Sequence, residues 1–545
     1  MTTNRSYFSF FSTSKSLTGI IYDTLNWAYE HSPVNLASLT GWHHPSISRL
    51  AGNPFWGRIT YAAQNGGLGL GEEIKNLAEI ASKDPRGIAY CSYGHIPVML
   101  VTRPVEIEQI AIHNDLNTNR NEILGPFTYV FGDNNVFGMA IGDEWQGKRR
   151  RLKKWIFTKE ALDPLTEPMQ EIIDEYIDIA RKNNEIPSLE NFMITLAMDL
   201  FSRSILKTNS LINEADTISE AFGTAMNASS NPVNMVLLKL KSIGDYINIS
   251  TIGNLDKEKI KLKSIIQDNF LNPNETNLRE TNNLLQHFFQ DHSLNIDEQF
   301  SAAYEDAASI LLAGHETTSR LLQFTIMLLT KNPEVLQRLR DEIGKNKPEN
   351  ELWTANNLQK MEYLRKILKE CLRLYPPVPV IPRAASNAFV IADIPRCKTK
   401  SEYQEAMNNR DISKDIVVSQ GTIIFISPWI TQRLALVHSN PNKFEPDRFK
   451  SDSISGTSTD LDDYCALFPF GFGRRNCIGR YVAFQEAQLS IIKLVDNFDF
   501  KLSHENKEQN EAETLDVFMK GTLKHKGNVH ITLEKRNLNN NANLL

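Results

Sequence analysis

The densest chemistry in the chain lies in one run, Phe470-Gly471-Phe472-Gly473-Arg474-Arg475-Asn476-Cys477-Ile478-Gly479, which leads into a helical pattern. Glycines let a backbone approach something large and flat. A thiolate at the start of a helix is favoured by the helix dipole and by free backbone N–H groups. Arginine pairs with a carboxylate through two parallel hydrogen bonds. Together these residue types describe a thiolate metal ligand beside a carboxylate-bearing cofactor. The plain alternative is a buried structural cysteine after a turn.

A second cluster, Ala313-Gly314-His315-Glu316-Thr317-Thr318, sits inside a long apolar helical pattern. Small residues there would let a flat macrocycle lie against the helix. A mid-helix threonine bonds back to a carbonyl one turn earlier and loosens the ladder. An acid beside an alcohol forms a proton relay. A zinc-binding His-Glu-x-x-His is excluded because residue 319 is Ser319. A buried polar kink is the plain alternative. Further along, Glu370 and Arg373 place opposite charges on one helix face. Read alone they are a common surface pair. Trp145 and Arg149 also share a face, and read alone are a core aromatic and a solvated cation.

In their order and spacing these runs resemble the motifs of the cytochrome P-450 superfamily. Phe470, Gly473, Arg475, Cys477 and Gly479 match its haem-binding loop, F-x-x-G-x-R-x-C-x-G. Ala313 to Thr318 match its oxygen-activation motif, A-G-x-[DE]-T-[TS]. Glu370 to Arg373 match its E-x-x-R helix, Pro446-Asp447-Arg448-Phe449 its P-[ED]-R-F segment, and Trp145 to Arg149 its W-x-x-x-R helix. The resemblance runs from about residue 85 to 535. It implies a single large triangular domain, mainly α with a small β region, holding haem b on the Cys477 thiolate, the metal ligand. It further implies cofactor contacts from Trp145, Arg149, Ala313, Gly314, Arg383, Phe470, Gly473, Arg475 and Gly479, with the arginines and Trp145 holding the propionates. Glu316 and Thr317 would guide protons to the distal oxygen, and Glu370, Arg373 and Arg448 would form a buried ion network below the haem.

The activity implied is a monooxygenase that inserts one oxygen atom of dioxygen into a lipophilic substrate, such as a fatty acid, sterol or terpenoid. Phe127, Tyr129 and Phe131 fall in the expected roof loop. No flavin or iron–sulfur module is visible in the sequence. Electrons are therefore expected from a separate ferredoxin, flavodoxin-like protein or flavoprotein reductase. Two rivals stand beside this reading. One is a haem-thiolate enzyme that needs no reductase, which the retained acid–threonine pair disfavours. The other is a non-catalytic haem sensor. Two departures matter: a polar stretch at about 396–415 lengthens the region after Arg383, and Thr431 to Val437 replace a stretch that usually contains His-Arg-Asp-Pro.

The elements that must position these residues follow from periodicity. Apolar spacing of 3.6 predicts helices at 163–183, 190–206, 358–375 and 478–495, and a long one from Asp297 to Leu329 that Lys331-Asn332-Pro333 ends. Residues 88–102 and 384–427 alternate as strands, with the polar insertion among the latter. Residues 207–295, rich in Asn and Ser, read as loops. Gly66 to Gly71 lack the spacing of a nucleotide-binding loop and read as a turn.

The chain has 545 residues, 41% hydrophobic and 23% charged, with a net charge of −6. That composition excludes disorder along most of its length and offers no global basic field for nucleic acid. Cys91, Cys371, Cys397, Cys465 and Cys477 are widely spaced without a C-x-x-C pair, which fits a reducing compartment. The expected organisation is an N-terminal segment at 1–84 without a membrane anchor, a haem domain at 85–535 and a frayed Asn-rich tail at 536–545. A soluble cytoplasmic monomer is expected, with weak peripheral membrane contact through Tyr7 to Phe11 left open. Lys148, Arg149, Arg150, Arg151, Lys153 and Lys154 form a basic run. The resemblance turns Arg149 inward and most of the others outward, toward an acidic electron donor.

Overall fold

The computed structural model describes residues 48–49, 70–93, 96–119, 125–132, 134–139, 141–156, 162–208, 210–229, 250–270, 296–395, 397, 400–449, 467–502 and 514–536. The Tyr7–Phe11 cluster, Cys465 and most of the Asn-rich tail lie outside them. The principal helices are α1 (Leu70–Ala81), α2 (Gly125–Phe131), α3 (Asp143–Ile156), α4 (Thr166–Asn183), α5 (Leu189–Asp199), α6 (Ala215–Ser229), α7 (Ser250–Phe270), α8 (Ile296–Lys331), α9 (Pro333–Asn346), α10 (Glu362–Leu374), α11 (Lys400–Asn409) and α12 (Arg480–Asn497).

The long helix α8 organises the rest. It contains no proline, and its one glycine is Gly314. It ends where Asn332 donates a side-chain bond to the Leu328 carbonyl and Pro333 opens α9. Helices α5, α10 and α12 pack on it, and the main apolar core forms around Leu311, Leu322, Phe324, Leu364, Leu368 and Leu489. Between Asp306 and Leu329 every residue of α8 is buried except Ala313, Gly314 and Thr317.

The β part is small. One sheet has the order β1 (Ser48–Arg49), β2 (Ile88–Tyr93), β3 (Ile96–Val101), then β9 (Ile423–Ile426), β6 (Ile381–Ala385) and β4 (Thr118–Asn119). Strand β3 runs parallel to β9 with Val98 opposite Ile423, and β6 runs antiparallel to β9 with Ile381 opposite Ile426. A second core beneath this sheet includes Ile110, Ala111, Ile381, Phe468 and Phe472, so the segment leading to Cys477 is anchored by apolar burial. Strands β5 (Glu185–Ile186), β10 (Phe498–Leu502) and β13 (Ile531–Lys535) make a three-stranded sheet. Strands β7 (Phe389–Ile391) and β8 (Ile416–Val418) pair, and β11 (Val517–Lys520) and β12 (Thr522–His525) form a hairpin.

Three expectations need correction. The Asn- and Ser-rich region read as loops contains α6 and α7. Weak propensity is overridden by burial of Ile218, Ala221, Ala225, Leu255, Leu262 and Ile266. The polar insertion contains helix α11, whose Tyr403 ring stacks on His113 at 3.6 Å. The helix expected directly after Cys477 starts at Arg480 with Gly479 as its N-cap, so the cysteine lies ahead of the first turn. No described helix is long and apolar enough to cross a membrane.

Candidate functional site

The Cys477 loop is shaped by two glycines in the left-handed region, Gly471 at φ 67° and Gly473 at φ 65°. A Cβ on Gly473 would also lie 2.6 Å from the Ala111 carbonyl oxygen, so a side chain is barred twice over. The Gly471 N–H donates to the Phe468 carbonyl at 2.9 Å and the Cys477 N–H to the Phe470 carbonyl at 2.7 Å. The buried rings of Phe468 and Phe472, 4.8 Å apart, anchor the turn. Of the four described cysteines, Cys91, Cys371 and Cys397 are buried and Cys477 is exposed. Burial pushes the Cys371 thiol up to about 12, which keeps it neutral.

Helix α3 supports this loop. Trp145, Lys148 and Leu152 are buried and Arg149 is half-buried, at the i, i+3, i+4, i+7 positions of one face. Arg149 Nη2 donates to both the carbonyl and the side-chain oxygen of Asn476, each at 2.5 Å. Burial lowers the Arg149 pKa while the neighbouring Cys477 charge raises it. The Arg475 guanidinium lies 4.5 Å from the Trp145 ring centroid and that of Arg149 5.5 Å. Arg475 donates to the carbonyl oxygens of Val136 and Met139. Arg383 is buried on β6, and Ile381 of the same strand approaches Gly471. The Trp145 indole N–H donates to the Val136 carbonyl at 3.0 Å, which braces the 136–139 segment. Lys148 is inside as well. Its Nζ sits 2.9 Å from Asp306 Oδ2 on α8. Arg150, Arg151 and Lys153 are exposed, and the Lys154 side chain lies outside the described residues.

On α8, Ala313, Gly314 and Thr317 form one partly exposed face. Thr317 Oγ1 donates to the Ala313 carbonyl at 2.7 Å, the back-bond expected of a mid-helix threonine. A Cβ on Gly314 would lie 2.3 Å from the Phe201 ring. The glycine therefore admits an aromatic side chain, a packing duty the macrocycle expectation did not include. Glu316, expected to relay protons with Thr317, is buried on an adjoining face of the helix. Its carboxylate accepts from Arg320 Nη2 at 2.9 Å, Thr522 Oγ1 at 2.8 Å and Ser219 Oγ at 3.1 Å, with Lys524 Nζ at 3.6 Å. Arg320 also pairs with Glu190 at 2.6 Å. Burial alone would raise the Glu316 pKa, but the Arg320 and Lys524 charges hold the carboxyl well below its usual range. Glu316 thus joins α8 to α5, α6 and β12 as a fixed anion.

The structure brings Glu370, Arg373 and Arg448 together. Glu370 accepts from Arg373 Nε at 2.7 Å and Nη2 at 2.9 Å, from Arg448 Nε at 2.9 Å and from the Glu445 N–H at 2.9 Å. Glu370 and Arg373 are fully buried. Gln432, which sequence reasoning passed over, is fully buried beside them. Its main-chain carbonyl accepts from Arg373 Nη1 at 2.9 Å. Position was the only signal for it, since it stands in the stretch that departs from the usual His-Arg-Asp-Pro.

An exposed thiol, two arginines beside an indole and a helix face of small residues suit a flat, thiolate-ligated group with acidic substituents. The model of the family described as Cytochrome P450 matches residues 54–396 and 404–529. The chain belongs to the cytochrome P450 family. The unmatched gap falls within the polar insertion. This P450 is 25% identical over 427 residues to Cytochrome P450 3A11 of Mus musculus, covering 75% of this chain and 78% of that one. It is 24% identical over 447 residues to (+)-menthofuran synthase of Mentha piperita, covering 78% and 81%. It is 23% identical over 443 residues to Protein LUTEIN DEFICIENT 5, chloroplastic, of Arabidopsis thaliana, covering 76% and 68%. This P450 is accordingly an oxidoreductase of a haem-dependent monooxygenase family, whose members generally use a lipophilic substrate, dioxygen and a redox partner.

Proposed function

We propose that this P450 binds haem b through the Cys477 thiolate and oxidises a lipophilic substrate with electrons from a separate donor protein. The observation that carries the reading is Cys477 itself, the exposed cysteine of the four described, in a turn whose left-handed backbone at residues 471 and 473 favours glycine. Bound there, haem supplies the dioxygen chemistry and the electron storage. The protein supplies the rest. Arg149, bonded to Asn476, places a positive charge next to Cys477. The guanidinium groups of Arg149, Arg475 and Arg383 hold the acidic substituents, the first two exchanging carbonyl partners of partial charge for carboxylates of full charge. The face made by Ala313, Gly314 and Thr317 sets the distance between α8 and the flat group.

Thr317 Oγ1 handles the proton. Its hydrogen goes to the Ala313 carbonyl, which leaves lone pairs to accept from water; rotation about Cβ–Oγ then lets the same oxygen donate onward. A lipophilic substrate is supported by the apolar wall between α2 and α6, where Phe127 stacks on Phe131 at 4.6 Å and meets Phe222 edge-on at 6.4 Å.

The test is the absorption spectrum of the reduced protein under carbon monoxide. The parent should show the red-shifted Soret band of a thiolate-ligated haem. Cys477→Ser should lose it, and Cys371→Ser should keep it. Retention of the band in Cys477→Ser would overturn the assignment.

A further inference from the structure

Helix α10 ends against Tyr375-Pro376-Pro377. An α-helical carbonyl accepts from the N–H four residues on. For Leu372 and Arg373 those residues are Pro376 and Pro377, and proline has no N–H to give. Two carbonyls at the buried end of a helix therefore need donors from elsewhere. The Gln432 side chain provides them: Nε2 donates to the Leu372 carbonyl at 3.1 Å and to the Arg373 carbonyl at 3.1 Å. The other end of the same amide faces the cysteine loop. Gln432 Oε1 accepts from the Phe468 N–H at 2.9 Å. This orientation is the one that satisfies all three contacts, because a flipped amide would set oxygen against two carbonyls and nitrogen against an N–H.

Phe468 begins the anchored turn, and its own carbonyl takes the Gly471 N–H. The backbone of Gln432 is held from the opposite side, its N–H on Pro428 and its carbonyl on Arg373 Nη1. Arg373 in turn is locked on Glu370. One fully buried neutral side chain thus joins the Glu370–Arg373–Arg448 network to the loop bearing Cys477.

We propose that Gln432 is a positioning residue for the Cys477 thiolate, serving both as the donor that replaces two missing proline N–H groups and as the acceptor that fixes the entry of the cysteine loop. This rests on Cys477 being the haem ligand. Histidine should keep the contact to the cysteine loop, since a neutral imidazole retains one acceptor for the Phe468 N–H and one donor for one of the two carbonyls. Leucine removes both functions.

The experiment compares the parent holoprotein with Gln432→Leu and Gln432→His. Amide hydrogen exchange is followed in the peptide spanning 467–479 and, as an internal control, in α12. The thiolate-type carbon monoxide band is followed over time in the same samples. In Gln432→Leu, loop exchange should quicken at least tenfold while α12 changes less than twofold, and the band should decay at least tenfold faster. Gln432→His should lie within about threefold of the parent on both readouts. Loop exchange in Gln432→Leu within twofold of the parent, or an equal rise in the loop and α12, overturns the proposal. If Gln432→Leu yields no holoprotein, Gln432→His decides: parent-like loop protection upholds the role, and tenfold-faster loop exchange overturns it. A parent lacking the thiolate band would instead refute the ligand assignment, and the exchange data would remain interpretable without it.

Discussion

Thr317 and Glu316 are sequence neighbours, yet one residue step turns a helix by roughly a quarter of its circumference. That turn separates a hydroxyl on the partly exposed face from a carboxylate locked in an ion cluster. Thr317→Ala should therefore keep haem content and the carbon monoxide band but release more peroxide per product formed, measured as peroxide against electrons consumed. Two buried glutamates should shift stability in opposite directions with pH. Glu316 has its pKa depressed in the folded state. Its contribution is present above the ordinary value of 4.5 and is lost as pH falls below that value. Glu316→Gln should lose on the order of 3–5 kcal/mol at neutral pH, because Arg320 is left without its buried partner, and should show a shallower acid limb in denaturation. Glu486 on α12 is fully buried, and burial pushes its carboxyl up to about 8. Between 4.5 and about 8 the unfolded chain releases a proton that the folded one keeps, so stability declines across that window as pH rises. Glu486→Gln should melt higher than the parent at pH 8, by roughly 1–3 kcal/mol in unfolding free energy, with the gap closing toward 4.5. A constant gap across that range would refute the assignment.

At the scale of elements, α10 shows what sequence patterning reveals and what it conceals. Charged residues cannot be buried singly, so Glu370 and Arg373 one turn apart, with Arg448 downstream, are legible as a network once a buried site is expected. Removing one member leaves the others uncompensated. Arg373→Ala should cost about 3–5 kcal/mol, read as loss of soluble holoprotein and a lower melting temperature. Normal haem content and melting would show that the network contributes little. The neighbouring Gln432 was not legible, because an amide carries no charge to demand a partner and its duty arises from Pro376 and Pro377, far from it in sequence. The same reasoning applies to α6 and α7. Their Asn- and Ser-rich composition argues locally for loops, while the burial of Ile218, Leu255 and Ile266 that makes them helical depends on packing between distant segments. The ion cluster around Glu316 was not legible for a related reason: Thr522 and Lys524 of β12 and Ser219 of α6 reach it from two other elements and join Arg320, one turn along α8.

At the scale of the whole molecule, a chain of net charge −6 places a basic surface on α3. The inward positions of that helix are spoken for: Lys148 pairs with Asp306 and Arg149 bonds to Asn476 beside Cys477. Arg150, Arg151 and Lys153 remain exposed on the same helix, outside its buried face. A cationic surface there would steer an acidic electron donor and speed its association. Such steering weakens as salt screens exposed charges beyond about 8–10 Å. We predict that Arg150→Glu with Lys153→Glu leaves the haem spectrum and melting temperature unchanged, because neither side chain is buried. The rate of reduction, measured against donor concentration at low ionic strength, should fall at least tenfold when the donor is an acidic ferredoxin or flavodoxin-like protein. Its dependence on salt should flatten as well. Charge steering acts on association rather than on the electron-transfer step, so the saturating rate should stay within about twofold of the parent. Unchanged reduction kinetics at low ionic strength would assign the basic face to solvation and place donor docking elsewhere on the molecule.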